Sequence, residues 1–166
     1  MLSVIIETKN NAEDLALTLA SLVPAAVDGV VRDVTVRDQG SSDQTRQVCE
    51  DAGVRWLEIG DIGHAIKQTR CDWILLLAPG ARLLDGWIEP VAAHMQKLTS
   101  PARFTRSRGH RLSLFARIGR SQDVLAEGLL IHKKQASALA KSGMNAEGLA
   151  RGLAAKRLTA EIAPAN

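Results

Sequence analysis

Aromatic residues are scarce in this 166-residue chain, which has three tryptophans, two phenylalanines and no tyrosine. Surfaces that bind sugars or single-stranded nucleic acid by stacking depend on such rings, so the composition disfavours both kinds of surface. Cysteine is also rare. Cys49 and Cys71 are too few for a disulfide framework and lack the spacing of a metal site, as do the four histidines.

Long apolar runs are absent as well. The longest, Trp73–Pro79, is far shorter than the roughly 20 residues that a membrane-spanning helix needs. The first residues do not combine a basic segment with an apolar stretch, so we expect no signal peptide. Together with the two cysteines, these features favour a reducing cytoplasm as the location of the protein.

Charge is distributed unevenly along the chain. Residues 1–96 contain 8 Lys and Arg against 14 Asp and Glu, whereas residues 97–134 contain 9 against 2. The length suits one domain, 1–166. We therefore expect a single domain whose acidic part, 1–96, and basic part, 97–166, have different roles.

Apolar patterns predict an alternation of strands and helices in the first part. Short β-branched runs predict strands at 2–7, 34–37 and 54–59, and a fully apolar run predicts a central strand at 73–77. Helices are predicted between them, the first from Ala12 to Leu22 and ended by Pro24. This alternation predicts a doubly wound, mainly parallel α/β sheet with helices on both faces. The central neighbouring strands would be Val4–Ile6, Val34–Val36 and Ile74–Leu77.

The second part is less regular. Residues 89–98 read as a helix and residues 128–132 as a late strand, and residues 101–120 fit no element clearly. Two alanine-rich helices are predicted at 135–141 and 145–158, separated by Gly143. This part is therefore expected to be largely helical.

Three segments of the first part resemble the family 2 glycosyltransferases. Ser3–Asn10 is similar to the family opening S-V-I-I-P-T-Y-N, with Glu7 for proline and Lys9 for tyrosine. The segment from 36 to 45 is similar to V-V-D-D-G-S-S-D-G-T, and that from 71 to 87 to G-D-W-I-L-F-L-D-A-D-T-R-L-x-x-G-W. Each motif alone is weak, but three in order at compatible spacing are fairly specific.

The resemblance implies a GT-A-like fold and transfer of a sugar from a nucleotide-sugar donor, with UDP as the expected nucleotide, to an envelope glycan or lipid acceptor. The carboxylate of Asp38 could accept the imide N–H of uracil. Ser42 and Asp43 have a simpler role open to them as caps of the following helix. The residues expected to bind the nucleotide are Thr8, Lys9, Asp38, Gly40, Ser41, Pro79 and Gly80.

One departure from the family bears on the chemistry. The family D-x-D motif coordinates a divalent cation at the donor diphosphate, but this sequence has Ala78, Pro79 and Gly80 there. None of these side chains binds a metal, so the sequence predicts donor binding without a metal or other cofactor. Arginines would then neutralise the diphosphate or bind the acceptor. The candidates are Arg82, Arg103, Arg106, Arg108 and Arg111, the last four as a lid over the cleft.

The inverting reaction of the family also needs a carboxylate base. The segment from 126 to 134 faintly resembles G-D-Q-x-I-F-x-R-R, and Glu127 is the catalytic candidate in it. A solvated surface carboxylate is the alternative reading of Glu127.

The basic stretch 101–120 leaves several interpretations open. It could contact the anionic inner face of a membrane, bind a diphosphate, or be an exposed helix with a core-facing stripe. No motif supports binding to nucleic acid. The loss of D-x-D keeps a second function open, that of a catalytically inactive domain that binds a nucleotide or a partner. A nucleotidyltransferase is disfavoured, because the first strand is not followed by a glycine-rich loop.

Overall fold

The protein forms one mixed sheet flanked by helices. The computed structural model describes residues 1–58, 60–107 and 124–165. The strands follow one another in the sheet in the order β3-β2-β1-β4-β7-β6-β8-β5. They are β1 (Leu2–Thr8), β2 (Val31–Asp38), β3 (Arg55–Leu57), β4 (Trp73–Leu77), β5 (Arg82–Leu83), β6 (Ala102–Arg106), β7 (Leu129–His132) and β8 (Lys156–Ala163). The helices are α1 (Ala12–Val27), α2 (Thr45–Asp51), α3 (Ile62–Gln68), α4 (Ile88–Lys97), α5 (Lys133–Leu139) and α6 (Ala146–Ala150).

The first four strands form the parallel half of the sheet. β1 lies between β2 and β4, and all three run parallel. The sequence predicted that these three strands are central neighbours in a mainly parallel sheet. Every residue of β4 is buried because both faces of this strand are covered. Leu75 and Leu77 belong to the core on one side of the sheet, and Ile74 and Leu76 to the core on the other. The predicted α/β fold class is therefore confirmed.

The second half adds β7, which corresponds to the late strand predicted at 128–132, and two strands that the sequence did not predict, β6 and β8. β7 joins β4 in antiparallel orientation, β6 follows it, and β8 pairs parallel with β6. The predicted helix at 145–158 is wrong beyond α6, because Lys156–Ala163 form strand β8. Its buried positions Leu158, Ala160 and Ile162 alternate with exposed ones, which is the period of a strand. The predicted helix followed the alanines between residues 146 and 155, because alanine has a high helix propensity.

Helix α1 also departs from the prediction. It continues past Pro24 to Val27, and the carbonyl of Pro24 accepts a hydrogen bond from the N–H of Asp28. A proline lacks the N–H that would bond to the preceding turn, but its carbonyl still serves the turn that follows. No helix in the described ranges is long and apolar enough to cross a membrane.

Candidate functional site

A cavity of about 370 Å³ lies where the first strands end. In parallel sheets of this kind, the loops after neighbouring strands converge at one edge and form the usual ligand site. The segments after β1, β2 and β4 all contribute to this cavity, and the second half of the chain supplies the remaining wall. The wall consists of Glu7, Thr8, Lys9, Asn11, Asp14, Gln39, Ala78, Pro79, Leu125, Asn145, Glu147 and Ala165.

Glu7 ties three parts of the cavity wall together. One carboxylate oxygen accepts from Nε of Arg37 at 2.5 Å, and the other accepts from the N–H of Ala146 at 2.7 Å. Arg37 in turn donates to the carbonyl of Gly60 at 2.8 Å. Both side chains of the ion pair are nearly buried, with 8% of Glu7 and 12% of Arg37 exposed. The glutamate that replaces the family proline therefore links β1, β2 and the start of α6.

Thr8 brings an unpaired hydroxyl to the cavity. The residue is 3% exposed, and no described group forms a hydrogen bond with its Oγ1. Its backbone carbonyl accepts from the N–H of Gln39, which also lines the cavity. Buried polar atoms normally have partners, so an unpaired hydroxyl in a cavity wall is a suitable contact for a ligand.

Asp38 lies beside Thr8 in the parallel register but is not part of the cavity wall. It is 2% exposed, and its Oδ1 accepts from the N–H of Ser41 at 3.1 Å and from the hydroxyl of Ser41 at 2.6 Å. Its Oδ2 is 3.4 Å from Nε1 of Trp56. Burial, and secondarily the charge of Asp38, raise the pKa of the nearby Cys49 thiol to about 11. The buried carboxylate thus shapes the loop that carries Gln39.

Two loops at this edge are bonded to each other. The N–H of Asn10 donates to the hydroxyl of Ser41, and the side-chain oxygen of Asn10 accepts from the N–H of Ser42. Asn10 has a φ of 54°, a left-handed conformation that asparagine tolerates better than most residues. These contacts hold the end of β1 against the end of β2, and Gly40, with a φ of 84°, allows the turn between Asp38 and Ser41.

Asp43 serves two helices at once. Its Oδ1 accepts from the N–H and the hydroxyl of Thr45 at the start of α2, and its Oδ2 accepts from the N–H of Ala12 at the start of α1. The hydroxyl of Thr45, followed by the backbone hydrogen bonds, lowers the pKa of Asp43 below its usual value of 3.8. The N-cap positions are Gln44 and Asn11, but the carboxylate of Asp43 accepts the first N–H of each helix and so serves the ends of both.

The turn Ala78–Gly80 lies where the family D-x-D motif would be. The N–H of Gly80 donates to the backbone carbonyl of Asp14 at 3.0 Å and to the hydroxyl of Thr18 at 2.8 Å. Gly80 has a φ of 86°, and a Cβ placed on it would lie 2.9 Å from Cβ of Ala165 and 3.2 Å from Oδ1 of Asp14. The backbone of this turn therefore requires glycine at position 80.

Glu127 lies in a cluster of arginines and not in the described wall of the cavity. Its carboxylate accepts from Nε of Arg106 at 3.1 Å and from a terminal nitrogen of Arg157 at 2.8 Å. Arg157 also donates to the carbonyl of Phe104. The proposed catalytic carboxylate is thus held in ion pairs between β6 and β8, which favours a structural role for Glu127.

Arg103 is also engaged within the fold. Its guanidinium donates to the carbonyls of Val124, Gly128 and Ala150, which fastens the loop before β7 to α6. Partial burial and then the charge of Arg157 lower its pKa, while Glu127 acts in the opposite direction. The lid expected from the basic segment is therefore not formed by the two arginines of that segment in β6. Arg82 lies in β5 outside the cavity wall, and Arg108 and Arg111 fall outside the described residues.

The fold matches crystal structures of glucosyl-3-phosphoglycerate synthase from Mycobacterium tuberculosis. A complex with Mn²⁺, UDP and glucosyl-3-phosphoglycerate aligns over 100% of this chain and 72% of that chain, with a TM-score of 0.66 and 16% identity. A complex with Mn²⁺, UDP and phosphoglyceric acid and one with Mg²⁺ and UDP align over 84% of this chain and 58% of theirs, both with TM-scores of 0.60 and at 16% and 17% identity. No protein-family model matches the chain, and no curated protein matches it in sequence. At this identity the likeness shows a GT-A-like fold.

These structures contradict one expectation. The sequence predicts donor binding without a metal because Ala78, Pro79 and Gly80 carry no side chain that binds one. That expectation is wrong, since the matched proteins were crystallised with Mn²⁺ or Mg²⁺ together with UDP. The missing D-x-D motif shows only that the turn Ala78–Gly80 has no metal ligands. It does not show which side chains of other elements line the same cavity.

Sequence reasoning missed several residues of the wall. Asn145, Glu147 and Ala165 come from the second half of the chain, more than 130 residues from β1. Asp14 lies in the first turn of α1, where an acidic residue is expected merely to favour the helix terminus. Its contact with Gly80 and its place in the cavity wall distinguish it from its neighbour Glu13, and both arise only in the folded chain.

Proposed function

We propose that the chain binds a nucleoside diphosphate sugar, with uridine as the expected base, in the cavity at the ends of β1, β2 and β4. The observation that carries this proposal is the cavity itself, lined by Thr8 and Gln39 at the edge where sheets of this kind bind ligands. The strands within the three motifs that resemble family 2 glycosyltransferases, β1, β2 and β4, end at this edge. The matched proteins of similar fold were crystallised with UDP.

The wall offers polar groups for each part of such a ligand. Lys9 provides a positive charge for the diphosphate, and Asn11 and Asn145 provide amide groups for the hydroxyls of a ribose or sugar. The hydroxyl of Thr8 provides a buried contact. Asp38 acts indirectly in this proposal, by fixing the Ser41 loop next to Gln39.

A divalent cation fits the chemistry of this wall. Mg²⁺ and Mn²⁺ prefer oxygen ligands, and nucleotide sites often hold them with one or two carboxylates and the phosphates themselves. Asp14 and Glu147 provide exposed carboxylates in the wall. When bound, such a cation neutralises the charge that develops on the leaving diphosphate.

Transfer of the sugar is the activity that this arrangement supports best. The second candidate is a non-catalytic nucleotide-binding domain, and the engagement of Glu127 with Arg106 and Arg157 favours it because the expected base is committed to ion pairs. Release of UDP from UDP-glucose, measured with Mn²⁺ and a panel of phosphorylated and glycan acceptors, separates the two. Turnover supports the transferase, and binding of UDP without turnover of any acceptor supports the binding domain.

The hydroxyl of Thr8 provides a direct test of the binding site. Replacing Thr8 with valine should leave the melting temperature unchanged or higher, since a buried hydroxyl without a partner gains nothing in the free protein. The same change should weaken UDP binding by about tenfold, which is the effect of losing roughly one hydrogen bond between protein and ligand. Calorimetry and thermal unfolding measure the two effects.

Thr35 is the matched control for this variant. Its Oγ1 is likewise buried without a partner, but it lies within β2 and does not line the cavity. Thr35→Val should resemble Thr8→Val in stability and leave UDP binding unchanged. If Thr8→Val and Thr35→Val bind UDP equally well, the hydroxyl of Thr8 does not contact the nucleotide.

A further inference from the structure

The turn after β4 lacks a metal ligand, but a carboxylate from another element lies beside it. Oδ1 of Asp14 would be 3.2 Å from a Cβ on Gly80, so it borders the position from which the last D-x-D side chain would extend. The N–H of Gly80 also donates to the backbone carbonyl of Asp14 at 3.0 Å. The first turn of α1 is thereby fixed against the turn Ala78–Gly80.

The carboxylate of Asp14 is available to a ligand. It is exposed, lines the cavity, and accepts no hydrogen bond from any residue within the described ranges. Glu7, by contrast, has both oxygens committed to Arg37 and Ala146. The same wall contains the hydroxyl of Thr8, which is 3% exposed and unpaired, and this independently indicates that the cavity takes a polar ligand.

We propose that Asp14 supplies the protein carboxylate for the divalent cation that accompanies the donor diphosphate. Helix α1 thereby takes over a role that the turn Ala78–Gly80 cannot perform. This proposal rests on the proposed nucleotide-binding function. The described residues contain no group of three or more His, Cys, Asp or Glu that could hold a metal alone. The cation should therefore bind tightly only when the phosphates of the nucleotide complete its ligands.

Asp14→Asn tests the proposal, and Glu13→Gln is its matched control. Both changes remove one negative charge from the first turn of α1, but only Asp14 lines the cavity. Free Mn²⁺ is measured by electron paramagnetic resonance while Mn²⁺ is titrated into protein with UDP. Asp14→Asn should weaken Mn²⁺ binding by at least about tenfold, since even residues that only support metal ligands have effects of that size. Glu13→Gln should bind like the wild type.

A second measurement uses the unaltered protein, so the test does not depend on the folding of a variant. In the presence of UDP, Mn²⁺ should broaden the amide resonances of Asp14 and Gly80 more strongly than that of His94. The ring of His94 packs against Trp73, which begins β4 at the end opposite the turn Ala78–Gly80. Equal Mn²⁺ binding by the two variants, or the absence of this selective broadening, would overturn the role of Asp14. UDP binding that is the same with Mn²⁺ and with a chelator would overturn it while supporting the nucleotide site. Failure to bind UDP under either condition would instead contradict the proposed function.

Discussion

Replacing Glu7 with alanine is expected to lower the free energy of unfolding by about 3 kcal/mol, because it leaves a nearly buried arginine without its partner. Arg37 is 12% exposed and would keep only its contact to the carbonyl of Gly60. The N–H of Ala146, at the start of α6, would lose its acceptor as well. Chemical denaturation monitored by circular dichroism measures the loss.

Two controls separate burial from charge. The double variant Glu7→Leu with Arg37→Leu should recover most of the stability, since it removes both buried charges together. The exposed pair of Arg46 and Glu50 has similar contact geometry, with a separation of 2.8 Å, but its side chains are 66% and 54% exposed. Glu50→Ala should cost about 0.5 kcal/mol or less. A loss below about 1 kcal/mol for Glu7→Ala would contradict the structural role assigned to this residue.

Gly80→Asp is expected to destabilise the protein by about 3 kcal/mol and not to restore a metal site. The variant restores the last aspartate of the family motif, but a side chain at this position would clash with Ala165 at 2.9 Å. It would also bring a second carboxylate next to Asp14, whose Oδ1 lies 3.2 Å from the new Cβ. Without a cation between them, two neighbouring carboxylates repel each other.

Gly86→Asp is the control for this prediction. Gly86 has a φ of 81°, close to the 86° of Gly80, but a Cβ at position 86 would meet no atom within 4 Å. Gly86→Asp should therefore lower the free energy of unfolding by only about 1 kcal/mol, because it loses the conformational freedom of glycine and meets no steric clash. If thermal unfolding shows that Gly80→Asp and Gly86→Asp are destabilised equally, then crowding around Gly80 does not contribute to the loss of stability.

The first half of the fold could be predicted because its signals are local. The fully apolar run of β4 identifies a central strand, and the alternation of strands and helices indicates that β1, β2 and β4 are parallel neighbours. The position of β1 between the other two is known only from the structure. The ends of neighbouring parallel strands meet at one edge of a sheet, and the register that pairs Thr8 with Asp38 places the ends of β1 and β2 side by side.

The second half could not be predicted in the same way. β8 alternates buried and exposed residues, but two of its buried positions are alanines, which favour helices by composition. The partners of Glu127 are Arg106 and Arg157, 21 and 30 residues away, and no local pattern indicates such pairings. The role of Asp14 depends likewise on its contact with Gly80, which exists only after the sheet has formed.

Calorimetric titration of the wild-type chain with UDP in the presence of Mn²⁺ tests the central claim most directly. The nucleotide site predicts saturable binding of one UDP per chain, with a dissociation constant below about 1 mM, the upper end of the usual range for enzyme substrates. Addition of UDP and Mn²⁺ should also raise the melting temperature, since a ligand that binds only the folded state stabilises it. The absence of both saturable heat and thermal stabilisation at millimolar UDP would contradict a nucleotide site in this cavity.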